Sequence, residues 1–117
     1  MVTLQRRTIA PARANAVTWI NPRRAMVARR SPGGFVTVDE IERRLPLEDE
    51  EQFLVRVALD LGPAKKVMVM GPIPDRVRFE RVDVAIHHRP DRLVDEPGES
   101  LVAPTAEELD SLLEPIR

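Results

Sequence analysis

Residues 49–72 read DEEQFLVRVALDLGPAKKVMVMGP, and this stretch decides the fold. Its first half predicts an amphipathic helix, because apolar side chains recur at helical spacing. A capping-box pattern opens that helix at Asp49, and Gly62-Pro63 predicts its end. The apolar run Val67–Met70 then predicts a strand covered on both faces, which is typical of a central strand with a parallel neighbour. The apolar stripe of the helix consists of Phe53, Leu54, Val57, Ala58 and Leu61.

The residues ahead of this stretch predict a three-stranded antiparallel meander. Strands are predicted at Ala16–Ile20, at Ala25–Arg29 and from Phe35 toward Ile41, with turn signals between them. The turn at residues 21–24 has asparagine first and proline second, as a type I turn prefers. A meander that leads through a helix into a parallel strand predicts an α/β domain with a mixed five-stranded sheet.

The residues after the stretch have a less regular pattern. Residues 75–82 predict a short helix, and Asp83–Ile86 predicts a fifth strand, whose pairing Leu93-Val94 extends. Thr105 and Glu108 then form a capping box that opens a final helix. The apolar stripe of that helix consists of Leu109, Leu112, Leu113 and Ile116.

Composition places the chain among single-domain proteins. The 117 residues include 43% apolar side chains, enough for a core, and no cysteine, which excludes a disulfide framework and a thiol nucleophile. No apolar run approaches the roughly 20 residues of a membrane helix. We expect a cytoplasmic protein without a cofactor. The expected parts are a flexible basic arm at 1–14, an α/β domain at 15–97, and an acidic loop with the C-terminal helix at 98–117.

Charge is unevenly distributed along the chain. Residues 1–30 contain seven arginines and no acid, whereas the rest of the chain contains 11 basic and 19 acidic side chains. A basic segment on an acidic body predicts weak, sequence-independent RNA binding, and a solvated surface is the alternative. The seven basic residues are Arg6, Arg7, Arg13, Arg23, Arg24, Arg29 and Arg30.

Three segments resemble a known family. NAVTWINPRRAMVARR, residues 15–30, looks like the first hairpin of the middle domain of eukaryotic-type class I peptide-chain release factors and of their small bacterial relatives. EEQFLVRVALDLGPAKKVMVMGP, residues 50–72, is similar to their helix, charged linker and apolar strand. DVAIHHRPDRLVDEP, residues 83–97, resembles the strand after their crossover. The resemblance covers residues 15–97 and implies a ribonuclease-H-like fold.

The chain departs from that family in the loop between the third strand and the helix. Release factors carry Gly-Gly-Gln in this loop, where it promotes peptidyl-tRNA hydrolysis. Here residues 43–52 are acidic and glycine-free, and Gly33-Gly34 lies in a different turn. The crossover helix is also expected to be truncated. The resemblance therefore implies a translation-associated domain that contacts ribosome or RNA and is not an enzyme.

The best candidate site follows from sheet geometry. Ligands of open α/β sheets bind beyond the carboxyl ends of parallel strands. If the first, fourth and fifth strands are parallel neighbours, those ends offer cations and an exposed glycine backbone. Such groups suit a phosphate or a nucleic-acid backbone, and plain surface is the alternative. The candidate residues are Asn21, Arg23, Arg24, Gly71, His87, His88 and Arg89.

Two other functions stay open at this point. A metal-dependent nuclease or phosphohydrolase would need converging acids, and Asp60 and Asp83 are the acids that remain as candidates. His87 and His88 would point to opposite sides of a strand, so no metal site is predicted. A protein–protein adaptor would instead present an apolar stripe of the last helix to a partner groove. That stripe consists of Leu109, Leu112 and Ile116.

Overall fold

A computed structural model describes the chain over residues 14–30, 33, 35–94 and 101–113. The predicted arm at 1–14 therefore lies outside the described residues, except for Ala14. The elements within the described ranges are β1 (Ala16–Ile20), β2 (Arg24–Arg30), β3 (Val36–Glu42), α1 (Glu50–Leu61), β4 (Val67–Met70), α2 (Ile73–His87), a 3-10 turn (Pro90–Arg92), β5 (Leu93–Val94) and α3 (Ala106–Leu112).

The described strands form one mixed sheet in the order β3-β2-β1-β4-β5. The pairs β1–β2 and β2–β3 are antiparallel, and the pairs β1–β4 and β4–β5 are parallel. The predicted meander is confirmed, and so are the central position of β4 and its parallel pairing with β1. The other neighbour of β4 is Leu93–Val94 and not the predicted strand at residues 83–86. The protein is thus an α/β protein with a five-stranded mixed sheet.

Both faces of the sheet are covered. All five residues of β1 are buried, because β1 lies at the centre of the sheet with packing on either side. One face packs against α1 and α2 around Phe53 and Phe79. The other face packs against α3 through Leu109 and Leu113. Because both faces are buried, consecutive residues of the central strands are mostly apolar and do not alternate with polar ones.

α1 begins and ends where the sequence predicts. The backbone N–H of Gln52 donates to Asp49 Oδ1 at 2.7 Å, and the Asp49 N–H donates to Gln52 Oε1 at 3.0 Å. This reciprocal pair satisfies two donors that the first helical turn leaves without partners. Gly62 follows the last residue with a φ of +67°, a conformation that favours glycine. The five predicted stripe residues are the buried ones.

The observed helix α2 contradicts two predictions made from the sequence. The predicted strand Asp83–Ile86 is wrong, because these residues belong to a helix of 15 residues, Ile73–His87. The expected truncation of the crossover helix is wrong for the same reason. The buried residues of α2 are Asp75, Phe79 and Asp83, spaced four apart. Since two of these three are acids, the helix shows no apolar periodicity that its sequence could reveal.

A buried ion pair makes an acid on the inner face of α2 tolerable. Arg92 and Asp83 have side chains that are 1% and 0% exposed, and the guanidinium donates to both carboxylate oxygens. Arg92 Nη1 also donates to the carbonyl oxygens of Gly62 and Ala64, at 2.6 and 3.1 Å. The pair thereby joins the end of α2, the end of α1 and the start of β5.

α3 is part of the domain, as its capping box and contacts show. Thr105 Oγ1 accepts the N–H of Glu108 at 3.1 Å, which confirms the predicted start of this helix. Leu109 is fully buried against the sheet of its own chain, and Leu113 forms a parallel bridge with Ala14. Leu109 therefore cannot lie in an exposed adaptor stripe, and Ile116 falls outside the described residues.

Candidate nucleic-acid interface

Three strands end at the same edge of the sheet. β1 and β4 are parallel, and β3 runs in the direction of β1 because both are antiparallel to β2. The turn after β1 at residues 21–23, the loop after β3 at 43–49 and the loop after β4 at 71–72 therefore lie at one edge. We call this the carboxyl edge. It is the side on which open α/β sheets bind their ligands.

The turn after β1 is fixed by Asn21. Its Oδ1 accepts the backbone N–H groups of Arg23 at 2.8 Å and of Arg24 at 2.9 Å. Asparagine is favoured at the first position of turns because its side chain can form these local hydrogen bonds. The amide oxygen of Asn21 is thus committed to the turn. Its role is to hold two arginines at the carboxyl edge, not to bind a ligand through that oxygen.

Gly71 allows β4 to end close to β1. Its φ is +128°, and a Cβ built on it would lie 2.1 Å from the carbonyl oxygen of Ile20. No side chain fits at that distance, so glycine is required by the close approach of two backbones. Gly71 is itself buried. The structure therefore gives this candidate a packing role at the base of the carboxyl edge.

The loop after β3 is held by Glu48. Its carboxylate accepts the backbone N–H of Arg44 at 2.8 Å and the Nε–H of Arg56 at 2.7 Å. The hydrogen bond from Arg56 is the main reason that the pKa of Glu48 is lowered to about 2. Arg43 Nε donates to the Glu48 carbonyl oxygen at 3.0 Å and its Nη1 donates to that of Pro22 at 3.3 Å. These contacts tie the loop to α1 and to the turn after β1.

Between the turn and the loop lies a cleft of about 330 Å³. Three guanidinium groups, one carboxylate and one leucine line it. Close by, Leu47 is 90% exposed on the same loop, although the contacts of Glu48 fix the backbone around it. A cleft with several cations and a nearby apolar side chain suits a ligand that is both anionic and partly apolar. The lining residues are Arg23, Arg24, Glu42, Arg43 and Leu45.

Charge pairing divides the arginines of the hairpin into two groups. Arg24 lies over the ring of Trp19, 5.7 Å from its centroid, and pairs with Glu40. Arg29 pairs with Asp39 at 2.8 Å, and Arg30 lies 3.8 Å from Asp110. The absence of acids from residues 1–30 therefore does not leave these arginines unpaired, since the pairing acids come from β3 and α3.

Other cations of the carboxyl edge keep their charge available. Arg23 and Arg44 are exposed, and the described residues provide no carboxylate within ion-pair distance of either side chain. The guanidinium of Arg43 contacts two carbonyl oxygens, which leave its charge uncompensated. Free arginines on a fixed turn and a fixed loop are the groups that contact phosphate oxygens in nucleic-acid complexes.

Acids beside this edge are partly neutralised. Arg78 Nη1 lies 3.2 Å from Glu50 and 3.3 Å from Asp75, at the starts of α1 and α2. Burial raises the pKa of Asp75, whose residue is 7% exposed. The ion pairs with Arg78 compensate part of the negative charge at the starts of these two helices. Glu42 is the carboxylate that the cleft itself contains.

The predicted histidines lie at the opposite edge of the sheet. His87 is the last residue of α2, and its Nε2 lies 3.0 Å from the carbonyl oxygen of Ala58 in α1. His88 caps the helix with a φ of +57°, and Arg89 donates to both oxygens of Asp91 at 3.0 and 2.9 Å. Both histidines therefore have structural positions at the end of a helix.

The seven candidates thus do not form one site. α2 starts beside the end of β4 and runs back toward the start of that strand, where Arg92 reaches Gly62 and Ala64. Residues 87–89 consequently lie at the amino edge, far from the turn after β1. The shared edge was inferred from a strand at 83–86, which is helical. The structure groups Asn21, Arg23, Arg24 and Gly71 and leaves out His87, His88 and Arg89.

Sequence reasoning missed the contribution of the loop after β3. It treated residues 43–52 as an acidic linker because of the acids from Glu48 onward. The signal was available, since a three-stranded meander makes its first and third strands parallel and brings their ends to one edge. Arg43, Arg44 and Leu45 follow the third strand directly, so the meander alone would have placed them beside Arg23.

The two acids considered for metal binding lie in different environments. Asp83 is paired with Arg92, and Asp60 Oδ2 lies 3.8 Å from Arg29 Nη2, with its pKa raised by burial. Across the ranges that the structure describes, no group of three or more His, Cys, Asp or Glu residues could hold a metal ion.

Within the same ranges, no helix is long and apolar enough to span a bilayer.

We compared the chain with models of protein families, with curated proteins and with solved structures. None of the three comparisons gave a match.

Proposed function

We propose that the protein is a non-catalytic binding module that contacts the phosphate backbone of RNA through its carboxyl edge. The observation that carries the proposal is the convergence of Arg23 and Arg43 from two separate connections on one cleft. The exposed Arg44 follows Arg43 in the same loop, and none of these three side chains forms an ion pair among the described residues. Cations held on fixed backbone around one cleft are suited to contact phosphate oxygens of a nucleic-acid strand. The apolar Leu45 and Leu47 beside them would pack against sugar or base surfaces.

We further propose that the fold is ribonuclease-H-like and that the module is related to the middle domain of release factors. The strand order β3-β2-β1-β4-β5, with a helix on each side of β4 along the chain, supports this assignment. The similarity of residues 15–30 and 50–72 to that family supports it from the sequence. On this assignment, the interface occupies the loop that carries Gly-Gly-Gln in release factors, with arginines in place of the catalytic motif.

The direct test is an RNA titration at several salt concentrations. Binding of a fluorescent single-stranded RNA should weaken steeply as salt rises, because each neutralised phosphate releases counterions. Arg23→Ala/Arg44→Ala should lower the slope of log affinity against log salt by roughly two units, about one per lost contact. Deletion of residues 1–13, which keeps the buried Ala14 in place, measures separately what the basic arm adds.

A matched variant separates the carboxyl edge from net charge. Lys65→Ala/Arg81→Ala also removes two exposed cations, but from the loop before β4 and the outer surface of α2. This variant should keep the wild-type slope. If wild type fails to bind RNA at low salt, or if both double variants lower the slope equally, the carboxyl edge is not an RNA-binding site.

A further inference from the structure

Among the residues that the structure describes, no strand pairs with the outer edge of β3. β3 is the terminal strand of the described sheet, and it pairs with β2 through Ala25–Ile41, Val27–Asp39 and neighbouring residues. The N–H of Arg43 donates to the carbonyl oxygen of Arg23, which sets the phase of the ladder. Because backbone groups alternate in direction along a strand, those of Val36, Val38, Glu40 and Glu42 point away from β2.

Most of these outward groups have no partner. In the part of the chain that the structure describes, the backbones of Val36, Val38 and Glu40 make no hydrogen bond on the outer side. Arg56 Nη2 donates to the carbonyl oxygen of Glu42 at 2.6 Å and so occupies the last of them. The open edge therefore spans residues 36–40, a length over which one more strand can pair.

The side chains along this edge select a particular partner. Val36 and Val38 are half-buried on the face of the sheet that packs against α3, so an added strand would extend that apolar face. Asp39, Glu40 and Glu42 make the strand acidic. On its paired side β3 already lies against a basic strand, where Arg24 pairs with Glu40 and Arg29 pairs with Asp39.

We infer that the outer edge of β3 binds an extended basic segment of a protein partner by strand addition. The backbone groups of residues 36–40 supply affinity, and the acids supply selectivity, because opposite charges across strands are favourable and like charges are not. A second copy of this chain would lack the complementary charge of a basic segment, because β3 contains three acids and no basic residue. The outward backbone groups of residues 36–40 are distinct from the proposed RNA contact, although Glu42 at the end of β3 lines the cleft of that contact.

A synthetic peptide tests the inference. The probe is a blocked peptide of alternating lysine and valine, added to full-length isotope-labelled protein whose amide exchange is followed by NMR. Addition should slow exchange of the outward N–H groups of Val36, Val38 and Glu40. The N–H groups of Asp39 and Ile41 are already bonded to β2 and should not change. A glutamate–valine peptide of equal length should have no effect.

Two variants locate the contact. Glu40→Pro removes one outward N–H and leaves the ladder to β2 in place, so it should weaken peptide binding about tenfold while Asp39 and Ile41 stay protected. Asp39→Asn/Glu40→Gln, which removes the acids of residues 36–40 and leaves Glu42 in the cleft unchanged, should also weaken binding. Glu51→Gln/Glu107→Gln, at two exposed glutamates elsewhere, should not. Peptide binding without protection of the outward amides, or no peptide binding, would overturn the inference. Protection that appears without peptide as protein concentration rises would instead indicate self-pairing and would overturn it too.

Discussion

The guanidinium of Arg92 donates to both carboxylate oxygens of Asp83, and the two side chains are 1% and 0% exposed. This pair fastens the crossover helix to the amino edge of the sheet, because Arg92 also donates to the carbonyl oxygens of Gly62 and Ala64. Removal of one partner leaves a buried charge without compensation, which is among the most costly single changes a fold can suffer.

We therefore expect strong coupling between Asp83 and Arg92. Asp83→Ala should lower the free energy of unfolding by about 3–5 kcal/mol, because Arg92 would stay buried without its counter-charge. Arg92→Ala should have a similar effect, and the double variant should lose less than the sum, by about 1–3 kcal/mol. Urea unfolding of the four proteins measures this. The exposed pair Arg89–Asp91 is the control, and its double-mutant cycle should show no measurable coupling. Additive losses at Asp83 and Arg92 would contradict the expectation.

The two positive-φ glycines should differ in their tolerance of alanine. A Cβ at Gly71 would lie 2.1 Å from the Ile20 carbonyl oxygen, whereas a Cβ at Gly62 would meet nothing within 4 Å. Gly62→Ala should cost about 1–3 kcal/mol, the backbone strain of φ +67° with ψ −160°, a region that is essentially restricted to glycine. Gly71→Ala should cost more than about 3 kcal/mol, since β1 and β4 would have to separate. Thermal unfolding of both variants measures this difference. Equal melting temperatures would contradict the close approach of Gly71 to the Ile20 carbonyl oxygen.

The pKa of Glu48 predicts a pH dependence of stability. A carboxyl group whose pKa falls from 4.5 to about 2 on folding stabilises the folded state fully above pH 4.5, and this contribution is lost as pH falls toward 2. Glu48→Gln should reduce the free energy of unfolding at neutral pH by about 1–2 kcal/mol, because it weakens the contact with Arg56. The difference between variant and wild type should vanish near pH 2. A difference that stays constant from pH 7 to pH 2 would show that Glu48 is not linked in this way.

Burial of β4 makes Val69 intolerant of charge. Val69 is 2% exposed and lies between β1 and β5. Val69→Asp would bury an unpaired carboxylate and should lower stability by more than about 4 kcal/mol. Leu59→Asp, at a position that is 60% exposed on α1, is the control and should change stability by less than about 1 kcal/mol. A Val69→Asp protein with the wild-type melting temperature would disprove the burial.

We expect no release of nascent peptide from ribosomes. Residues 43–52 contain no Gly-Gly-Gln, and Gln52, the glutamine of this loop, is engaged in the capping box at Asp49. Purified protein added to ribosomes that carry peptidyl-tRNA should leave the peptide attached, as judged by the fraction that remains on tRNA. Peptide release above that of buffer would overturn this expectation.

The sequence by itself determined the elements whose signals are local. The capping box of Asp49 and Gln52, the stop at Gly62 and the two-sided apolar run of β4 each depend on residues close together in the chain. The same holds for the meander, whose strands are joined by short turns. Because these features depend on residues close together in the chain, their patterns are visible in the sequence and correctly predicted α1, β4 and the antiparallel meander. The fifth strand was placed at residues 83–86, which are helical.

Only the tertiary structure decided the course of residues 73–94 and the place of the candidate site. α2 turns two acids inward, and Asp83 is stable there only because Arg92, nine residues away, reaches it at the far edge of the sheet. The tertiary structure likewise showed that Arg24 and Arg29 form ion pairs with acids on β3. The pairing of a buried or surface charge depends on distance in space, and that distance is set by how the elements pack and not by the order of residues.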